Sequence, residues 1–296
     1  MSQRTSPSTQ QPYGMARVLR VWALPRSTFY AQRTRRAQPA TGRRGRTPAL
    51  DDAALLAEIR TVIAESPFHG EGHRKIWARL RTLKAVRTSM RRVLRVMRGA
   101  ELLAPARQPA PVVERPHDGT IVTAAPNVMW GTDATAAVTL LEGPATIFAA
   151  IDHCTAECVG IHATQHGDRF EALEPVRQGV RDHFGGLAAA AAGGLAIRHD
   201  HGSVYLSADF QAEIRFLGMT SSPAFVRQPE GNGCIERFFR TLKEQLLWVR
   251  HFSTVEELRQ ALLAFKETYN REWLIARLGY RSPAQARQAF SVRPAA

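Results

Sequence analysis

Apolar residues between positions 50 and 104 recur at helical spacing and predict three helices. The first begins at the acidic pair Asp51-Asp52 and ends before Ser66-Pro67. The second follows Gly72, and the third begins near Ser89. Each has an apolar stripe on one side and polar residues on the other, as expected for helices that share a small core. We therefore predict a helix-turn-helix module over residues 50–104.

A shorter helical pattern precedes this module. The stretches Met15–Trp22 and Thr28–Arg36 flank a turn that contains Pro25, which ends the first of them. Residues 1–36 are thus predicted to be a short helix-turn-helix-like segment. Residues 37–49 are rich in Pro, Gly and Arg, a composition typical of a flexible basic linker.

Beyond residue 104 the helical periodicity gives way to a strand pattern. Residues 105–126 hold five prolines and are predicted to be a second linker. The predicted elements that follow are strands at Val128–Leu141, Ala145–Asp152 and Glu157–Ala163, a helix at Asp168–Phe184, a strand at Leu195–His199, a helix at Ser207–Leu217, a strand near Met219–Phe225 and a long helix from Gly233 to about Trp248. This order predicts an α/β domain over residues 127–250, with a mixed five-stranded sheet flanked by helices. Residues 251–296 are predicted to form a C-terminal helical extension.

The positive charge of the chain is concentrated in its first part. The whole sequence carries a net charge of +14. Residues 1–126 contain 23 Lys or Arg against 8 Asp or Glu, whereas residues 127–296 contain 17 against 18. A polyanion partner such as double-stranded DNA explains this asymmetry, because basic residues that neutralise phosphates release condensed counterions. On charge alone, a solvated basic tail or a membrane-surface segment remains an alternative.

Composition also limits the cellular compartment. The sequence has no run of eighteen apolar residues, and residues 1–11 lack the apolar stretch of a secretory signal. Its three cysteines, Cys154, Cys158 and Cys234, are too few for a disulfide framework. We expect a cytoplasmic protein with reduced thiols and no membrane association.

The third predicted helix of the 50–104 module has a basic face. Arg91, Arg95 and Arg98 follow one another at helical spacing, with Arg92 beside them. Neighbouring arginines repel unless an anion lies between them, so we predict that these four residues bind nucleic acid. A solvated surface helix is the alternative.

Three acids stand at corresponding points of the predicted α/β domain. Asp133 lies on the first strand, Asp200 directly follows the fourth, and Glu236 lies on the last long helix. The sequence around them reads Trp130-Gly131-Thr132-Asp133-Ala134-Thr135, Arg198-His199-Asp200-His201-Gly202-Ser203-Val204-Tyr205 and Glu230-Gly231-Asn232-Gly233-Cys234-Ile235-Glu236-Arg237-Phe238-Phe239-Arg240-Thr241-Leu242-Lys243.

These blocks resemble the signature motifs of retroviral-integrase-like DDE transposases, in particular the OrfB proteins of insertion-sequence family three. The 35 residues between Asp200 and Glu236 match that family's spacing. Gly70–Leu103 resembles its upstream helix-turn-helix segment. Tyr269-Asn270 and Leu278–Ala284 resemble its C-terminal end. The resemblance covers almost the whole chain, but Gly233-Cys234-Ile235 and Glu272–Ile275 depart from the wording common among relatives.

The resemblance implies an RNase H-like fold and a DNA transposase. Asp133 would bridge two Mg²⁺ or Mn²⁺ ions, with Asp200 and Glu236 each completing one site. Hard oxygen ligands suit these ions, and two of them stabilise the attacking and leaving oxygens of a phosphodiester. The expected reactions are strand cleavage at the terminal repeats of a mobile element and transfer of the 3′-hydroxyl into target DNA. A homo-oligomer and an OrfA partner or fusion are also implied.

Two other functions would fit the same modules. A catalytically inactive, sequence-specific DNA-binding protein derived from a transposase would keep the basic segments, and a nuclease of the same fold would cleave without joining. Arg240 and Lys243 lie on the Glu236 face of the helix and are predicted to contact DNA, although Arg240 could instead pair with Glu236.

Several other residues near these acids are candidates for a different role. His153, Cys154, Cys158 and His162 have spacing that a zinc site could use, but their strand-like surroundings favour buried thiols and an exposed His. His199 and His201 should point away from Asp200, because neighbouring residues on a strand face opposite sides. Asp152, at the end of the second predicted strand, is a rival acid outside any signature block.

Overall fold

The computed structural model describes residues 3–37, 49–104, 121–224 and 232–291. Most of the two predicted linkers, together with Glu230, lies outside these residues. The chain forms two compact units, Met1–Ala49 and Leu50–Ala296. The first contains helices α1 (Met15–Val21) and α2 (Arg26–Ala37). Both helices are present as predicted, although α2 begins at Arg26, directly after Pro25.

The second unit opens with the three predicted helices. They are α3 (Asp52–Glu65), α4 (His73–Leu83) and α5 (Met90–Gly99). The Asp51 side chain accepts a hydrogen bond from the Ala54 N–H at 2.7 Å, and Ser89 caps α5 in the same way. Their apolar stripes meet in a core of their own, formed by Leu55, Ile59, Val62, Ile76, Leu80, Val93, Val96 and Met97.

The strands that follow form one mixed sheet. They are β1 (Met129–Thr139), β2 (Gly143–Asp152), β3 (Cys158–Thr164), β4 (Ala196–His199) and β5 (Thr220–Pro223). Their order across the sheet is β3-β2-β1-β4-β5. The first three form the predicted antiparallel meander, and β4 and β5 run parallel to β1. The predicted RNase H-like α/β fold is confirmed.

Helices cover both faces of this sheet. They are α6 (Arg169–Phe184), α7 (Ser203–Leu206), α8 (Ala208–Phe216), α9 (Gly233–Leu242), α10 (Val255–Glu272) and α11 (Pro283–Ser291). Trp130, Phe148 and Ala150 face α6 and α8, whereas Ile147, Ala149 and Ile151 face α9 and α10. Alternation along each strand therefore separates two cores. Among the described helices, none combines the length and apolar character needed to cross a bilayer.

Two elements differ from the sequence prediction. The short helix α7 begins three residues after Asp200, where no helix was expected before Ser207. The long helix predicted to reach Trp248 is α-helical only to Leu242 and continues as a π-helical turn, Lys243–Leu247. In such turns the backbone hydrogen bonds join residues i and i+5 instead of i and i+4, and these turns are frequent at functional sites.

The π-helical turn also joins the helical module to the sheet domain. Gln245 Oε1 accepts a hydrogen bond from the His69 N–H at 2.9 Å, and Gln245 Nε2 donates to the His69 carbonyl oxygen at 3.1 Å. Nearby, the Arg79 guanidinium bonds the buried Glu71 carboxylate and the carbonyl oxygen of Glu272. The module is therefore packed against the same domain that carries the three acids.

Candidate active site

Asp133 and Asp200 are brought together by the pairing of β1 with β4. In this parallel pair, Gly131 lies opposite Arg198. Asp133 lies two residues after Gly131, and Asp200 lies two residues after Arg198. Both acids therefore lie at the carboxyl end of β4 and on the same face of the sheet. Asp133 is also paired with Ala149 of β2, whose side chain belongs to the core under α9. The face that carries Asp133 is thus the face that α9 covers.

Glu236 is supplied by α9 from above this face. Six residues of the helix are buried against the sheet and α10: Cys234, Ile235, Phe238, Phe239, Thr241 and Leu242. Glu236 itself lies in the first turn and is exposed to solvent. The apolar residues therefore dock the helix, and the carboxylate is left at its accessible edge. An anionic side chain is also stabilised in the first turn by the helix dipole.

Asp133 is influenced by the charges of both other acids. The pKa of Asp133 is raised to about 6, mainly by burial and in smaller part by the negative charges of Asp200 and Glu236. Two groups act in the opposite direction: the Ala134 N–H, which donates to Asp133 Oδ1 at 2.8 Å, and the positive charge of Lys243. Three anions and one ammonium group therefore act on one another at the carboxyl end of β4.

The turn after β4 fixes Asp200. Its Oδ1 accepts the Gly202 N–H at 2.8 Å, and a Cβ on Gly202 would lie only 2.9 Å from that oxygen. His199 is buried behind the turn, where Nδ1 bonds the Asp200 carbonyl oxygen and Nε2 bonds Ser221 Oγ. His201 Nε2 bonds the Ala224 carbonyl oxygen. Both histidines thus hold the backbone of the turn, as predicted, and leave the Asp200 carboxylate to the site.

The donor chemistry of the three acids fits a divalent cation. All three offer hard carboxylate oxygens, which Mg²⁺ and Mn²⁺ prefer. Within the described residues, however, no three His, Cys, Asp or Glu side chains already converge closely enough to hold an ion. Uncompensated carboxylates repel one another, and Glu236 is exposed to solvent. The three acids fit a divalent cation by donor type and by the face of the sheet on which they lie.

Asp152 has a structural role instead. It is fully buried, and its Oδ1 accepts hydrogen bonds from the backbone N–H and the hydroxyl of Thr155. Its Oδ2 accepts the Asn127 N–H at 2.8 Å. Both oxygens are thus committed to the turn after β2 and to the segment before β1, so Asp152 is not a substitute ligand.

The possible zinc residues are also accounted for by the fold. Cys154 and Cys158 are buried free thiols, as predicted. His153 is buried with Nδ1 bonded to the Ile121 carbonyl oxygen. His162 bonds Glu171 on α6 and is mostly buried, so the prediction of an exposed His is wrong. The four side chains make separate contacts.

The four arginines of α5 divide into two kinds. Arg92 is partly buried, and its guanidinium bonds Asp52 and the Leu50 carbonyl oxygen. Arg95 is exposed and shares Asp52 at 2.8 Å. These two guanidinium groups, Arg95 foremost, lower the pKa of Asp52 to about 2. Arg91 and Arg98 are exposed, with no ion pair among the described residues. Arg92 therefore anchors α5 to α3, and the outer arginines remain candidates for DNA.

Arg240 and Lys243 lie on the Glu236 side of the helix. The alternative pairing of Arg240 with Glu236 is not formed, since Arg240 Nε lies 3.1 Å from Glu244 Oε1. Lys243 begins the π-helical turn and acts on Asp133 through its charge. Lys243 was predicted from the sequence, but the π-helical turn to which it belongs was not. The basic surface beside the acids is therefore formed partly by this turn.

Comparisons with known proteins identify one matching family and several similar sequences. Residues 217–283, which include Glu236, match the family described as integrase core domain. Transposase InsD for insertion element IS2A/D/F/H/I/K of Escherichia coli is 28% identical over 279 residues, covering 92% of this chain and 90% of that protein. The chain is similar to this insertion-element transposase over almost its whole length. The predicted resemblance to OrfB-type proteins of insertion-sequence family three is confirmed.

A longer relative is similar over the same region. The uncharacterized 48.2 kDa protein of insertion element IS2A of Escherichia coli is 28% identical over 286 residues, which is 95% of this chain but only 66% of that protein. Among solved structures, the simian T-cell lymphotropic virus intasome in complex with PP2A regulatory subunit B56 gamma aligns at 15% identity, over 76% of this chain and 74% of that one, with a TM-score of 0.46.

Sequence reasoning missed one polar residue of this transposase-like site. Asn232, immediately before α9, is buried and donates from Nδ2 to the Thr132 carbonyl oxygen at 3.2 Å. The contact spans 100 residues of sequence, so no local pattern signals it.

Proposed function

We propose that the protein is a DNA transposase that cleaves the strands at the ends of its element and transfers the 3′-hydroxyl ends into target DNA. The proposal is supported by the β1–β4 register, which sets Asp133 and Asp200 on the sheet face covered by α9, the helix of Glu236, and by the effect of both other acids on Asp133. The elevated pKa of Asp133 adds to it, because a protein that keeps three acids within electrostatic range of one another loses stability unless a cation compensates them.

In the proposed site, Asp133 would contribute to both of two Mg²⁺ or Mn²⁺ ions, and Asp200 and Glu236 would each contribute to one. When bound, such ions would lower the pKa of the attacking hydroxyl and stabilise the charge on the leaving oxygen. The chain contributes orientation: the β1–β4 register fixes the two aspartates, the Gly202 turn fixes the Asp200 carboxylate, and docked α9 carries Glu236. Water attacks in cleavage and a 3′-hydroxyl in joining, so one site serves both.

Lys243 and Arg240 are proposed to bind the phosphates next to the reacting one. Both lie on the accessible edge of α9 or its π-helical continuation, within reach of the acids. Arg91, Arg95 and Arg98 on α5 are proposed to hold a more distant part of the duplex. Because His69 and Gln245 link the two modules directly, DNA bound by α5 would be held in a fixed relation to the acids.

A strand-transfer assay tests the proposal. Labelled duplexes that carry the left and right boundaries of the genomic element are incubated with the full-length protein and Mg²⁺, Mn²⁺ or EDTA, and nicked and joined products are scored separately. We expect both products with either metal and neither in EDTA. Nicking without joining would indicate the nuclease. Binding without either product would indicate the inactive DNA-binding protein.

Assembly is part of the proposal. Two element ends must be brought together, so at least a homodimer is expected on DNA, and an upstream OrfA partner or fusion is proposed from the family resemblance. Addition of the upstream frame to the same assay tests this second point. Light scattering of the protein–DNA complex tests the first, with two copies per pair of ends as the expected result.

A further inference from the structure

Asn232 occupies the position before α9, where an asparagine side chain normally accepts a hydrogen bond from the first turn of the helix. Here the side chain makes no such bond. The residue is 5% exposed, and its amide is directed to β1 instead. Because the Asn232 amide does not cap the helix that follows it, its role depends on the group that it contacts instead.

That contact lies beside the first acid. Asn232 Nδ2 donates to the carbonyl oxygen of Thr132 at 3.2 Å, and this carbonyl belongs to the peptide bond that joins Thr132 to Asp133. The next residue after Asn232 begins the helix that carries Glu236. One side chain therefore connects the strand of one acid to the helix of another.

Gly131 permits this approach. A Cβ at this position would lie 2.8 Å from Asn232 Oδ1 and 2.7 Å from His153 Nε2, which is closer than real Cβ atoms come. Both atoms are buried without a hydrogen-bond partner in the described part of the chain. A buried polar group left unpaired destabilises the fold. The fold therefore tolerates an unfavourable local arrangement above β1, as functional sites often do.

We propose that Asn232 is a positioning residue that sets the separation of β1 and α9 at which Asp133 and Glu236 bind the same pair of metal ions. This inference rests on the proposed function. Asn232 contacts neither metal nor DNA in this role; it acts through the Thr132 peptide and the start of α9. Side chains that orient metal ligands typically change metal affinity about 10–100-fold when removed.

Mn²⁺ binding measured by calorimetry on the full-length protein, without DNA, tests the role independently of catalysis. Asn232→Ala should weaken Mn²⁺ binding at least tenfold. Asn270→Ala is the matched control: Asn270 is also buried and bonds both the N–H and the carbonyl oxygen of Cys158 at 2.9 Å, but it joins α10 to β3. That variant should lose stability and keep Mn²⁺ affinity.

A second variant tests the same contact from the strand. Gly131→Ala leaves the Asn232 amide intact but displaces it from β1, so it should reduce Mn²⁺ affinity as Asn232→Ala does. Asn232→Ser keeps a hydrogen-bond donor, so its Mn²⁺ affinity should lie between those of Asn232→Ala and the wild type. Wild-type affinity in folded Asn232→Ala or Gly131→Ala protein would overturn the inference and leave the proposed function standing. A wild-type protein that neither binds Mn²⁺ nor cleaves would overturn both.

Discussion

Ionisation of the Asp133 carboxyl group should destabilise the metal-free protein. A substitution that removes this carboxyl group should therefore stabilise the fold. Burial raises the pKa of Asp133 from 3.8 to about 6, with Asp200 and Glu236 acting in the same direction. Because the folded-state pKa lies above the unfolded value, the native state binds the proton more tightly between about pH 4 and pH 6. The carboxylate therefore opposes folding fully above pH 6 and not at all below about pH 4.

The size of the effect follows from the shift. A pKa difference of about two at 1.36 kcal/mol per unit corresponds to at most ~3 kcal/mol, and partial solvent exposure of the side chain reduces this to about 1–2 kcal/mol. Asp133→Asn is nearly isosteric and cannot ionise. In EDTA at pH 7.5 it should raise the free energy of unfolding by that amount, or the melting temperature by several degrees.

Urea titrations followed by tryptophan fluorescence at pH 7.5 and pH 4 measure this difference. The stabilisation should vanish at pH 4, and Mg²⁺ should stabilise the wild type but not the variant. Asp209→Asn is the control, because Asp209 is half-exposed on α8, which packs on the face of the sheet opposite to α9. An Asp133→Asn protein no more stable than wild type at pH 7.5, or equally stabilised at pH 4, would refute the reasoning.

Three further predictions concern the helical module. Replacement of Arg91 and Arg98 with Ala should weaken duplex binding and reduce the slope of log affinity against log salt by up to about 0.9 per contact, with the melting temperature unchanged; an unchanged slope would contradict a phosphate role. Arg92→Ala should instead lower stability by about 1 kcal/mol, because it removes the hydrogen bonds of its guanidinium to Asp52 and to the Leu50 carbonyl oxygen. Burial lowers the pKa of Lys75 to about 7, below its unfolded value, so wild-type stability should rise between pH 7 and pH 10 and Lys75→Met should be flat there; parallel pH profiles would refute this.

Much of the fold and site could be predicted because the signals are local. Alternating residues from Val128 to Ala163 encode the meander, and the same alternation places Asp133 under α9. The remainder depends on contacts between distant segments. Asp52 converts Arg92 from a DNA candidate into an anchor across 40 residues, and Asn232 reaches β1 across 100.

The π-helical turn at Lys243–Leu247 is another feature that the sequence does not show. Its residues have ordinary helical character, so the apolar period alone predicts an uninterrupted α-helix to Trp248. The turn instead presents Gln245 to His69 and Lys243 to the acids. The change from α-helix to π-helix accompanies docking of this turn against the helical module. That contact forms only in the folded chain, so the sequence pattern does not show it.

The central claim is that Asp133, Asp200 and Glu236 perform the chemistry together, and Glu236→Gln tests it most directly. The change is isosteric and removes one anionic ligand from an exposed position, so folding and DNA binding should persist. Loss of about 3 kcal/mol of transition-state stabilisation lowers the rate more than a hundredfold. Nicking and joining should both fall by at least that factor, while Glu267→Gln, on the exposed side of α10, should match wild type. Wild-type rates of either reaction in Glu236→Gln would contradict the account.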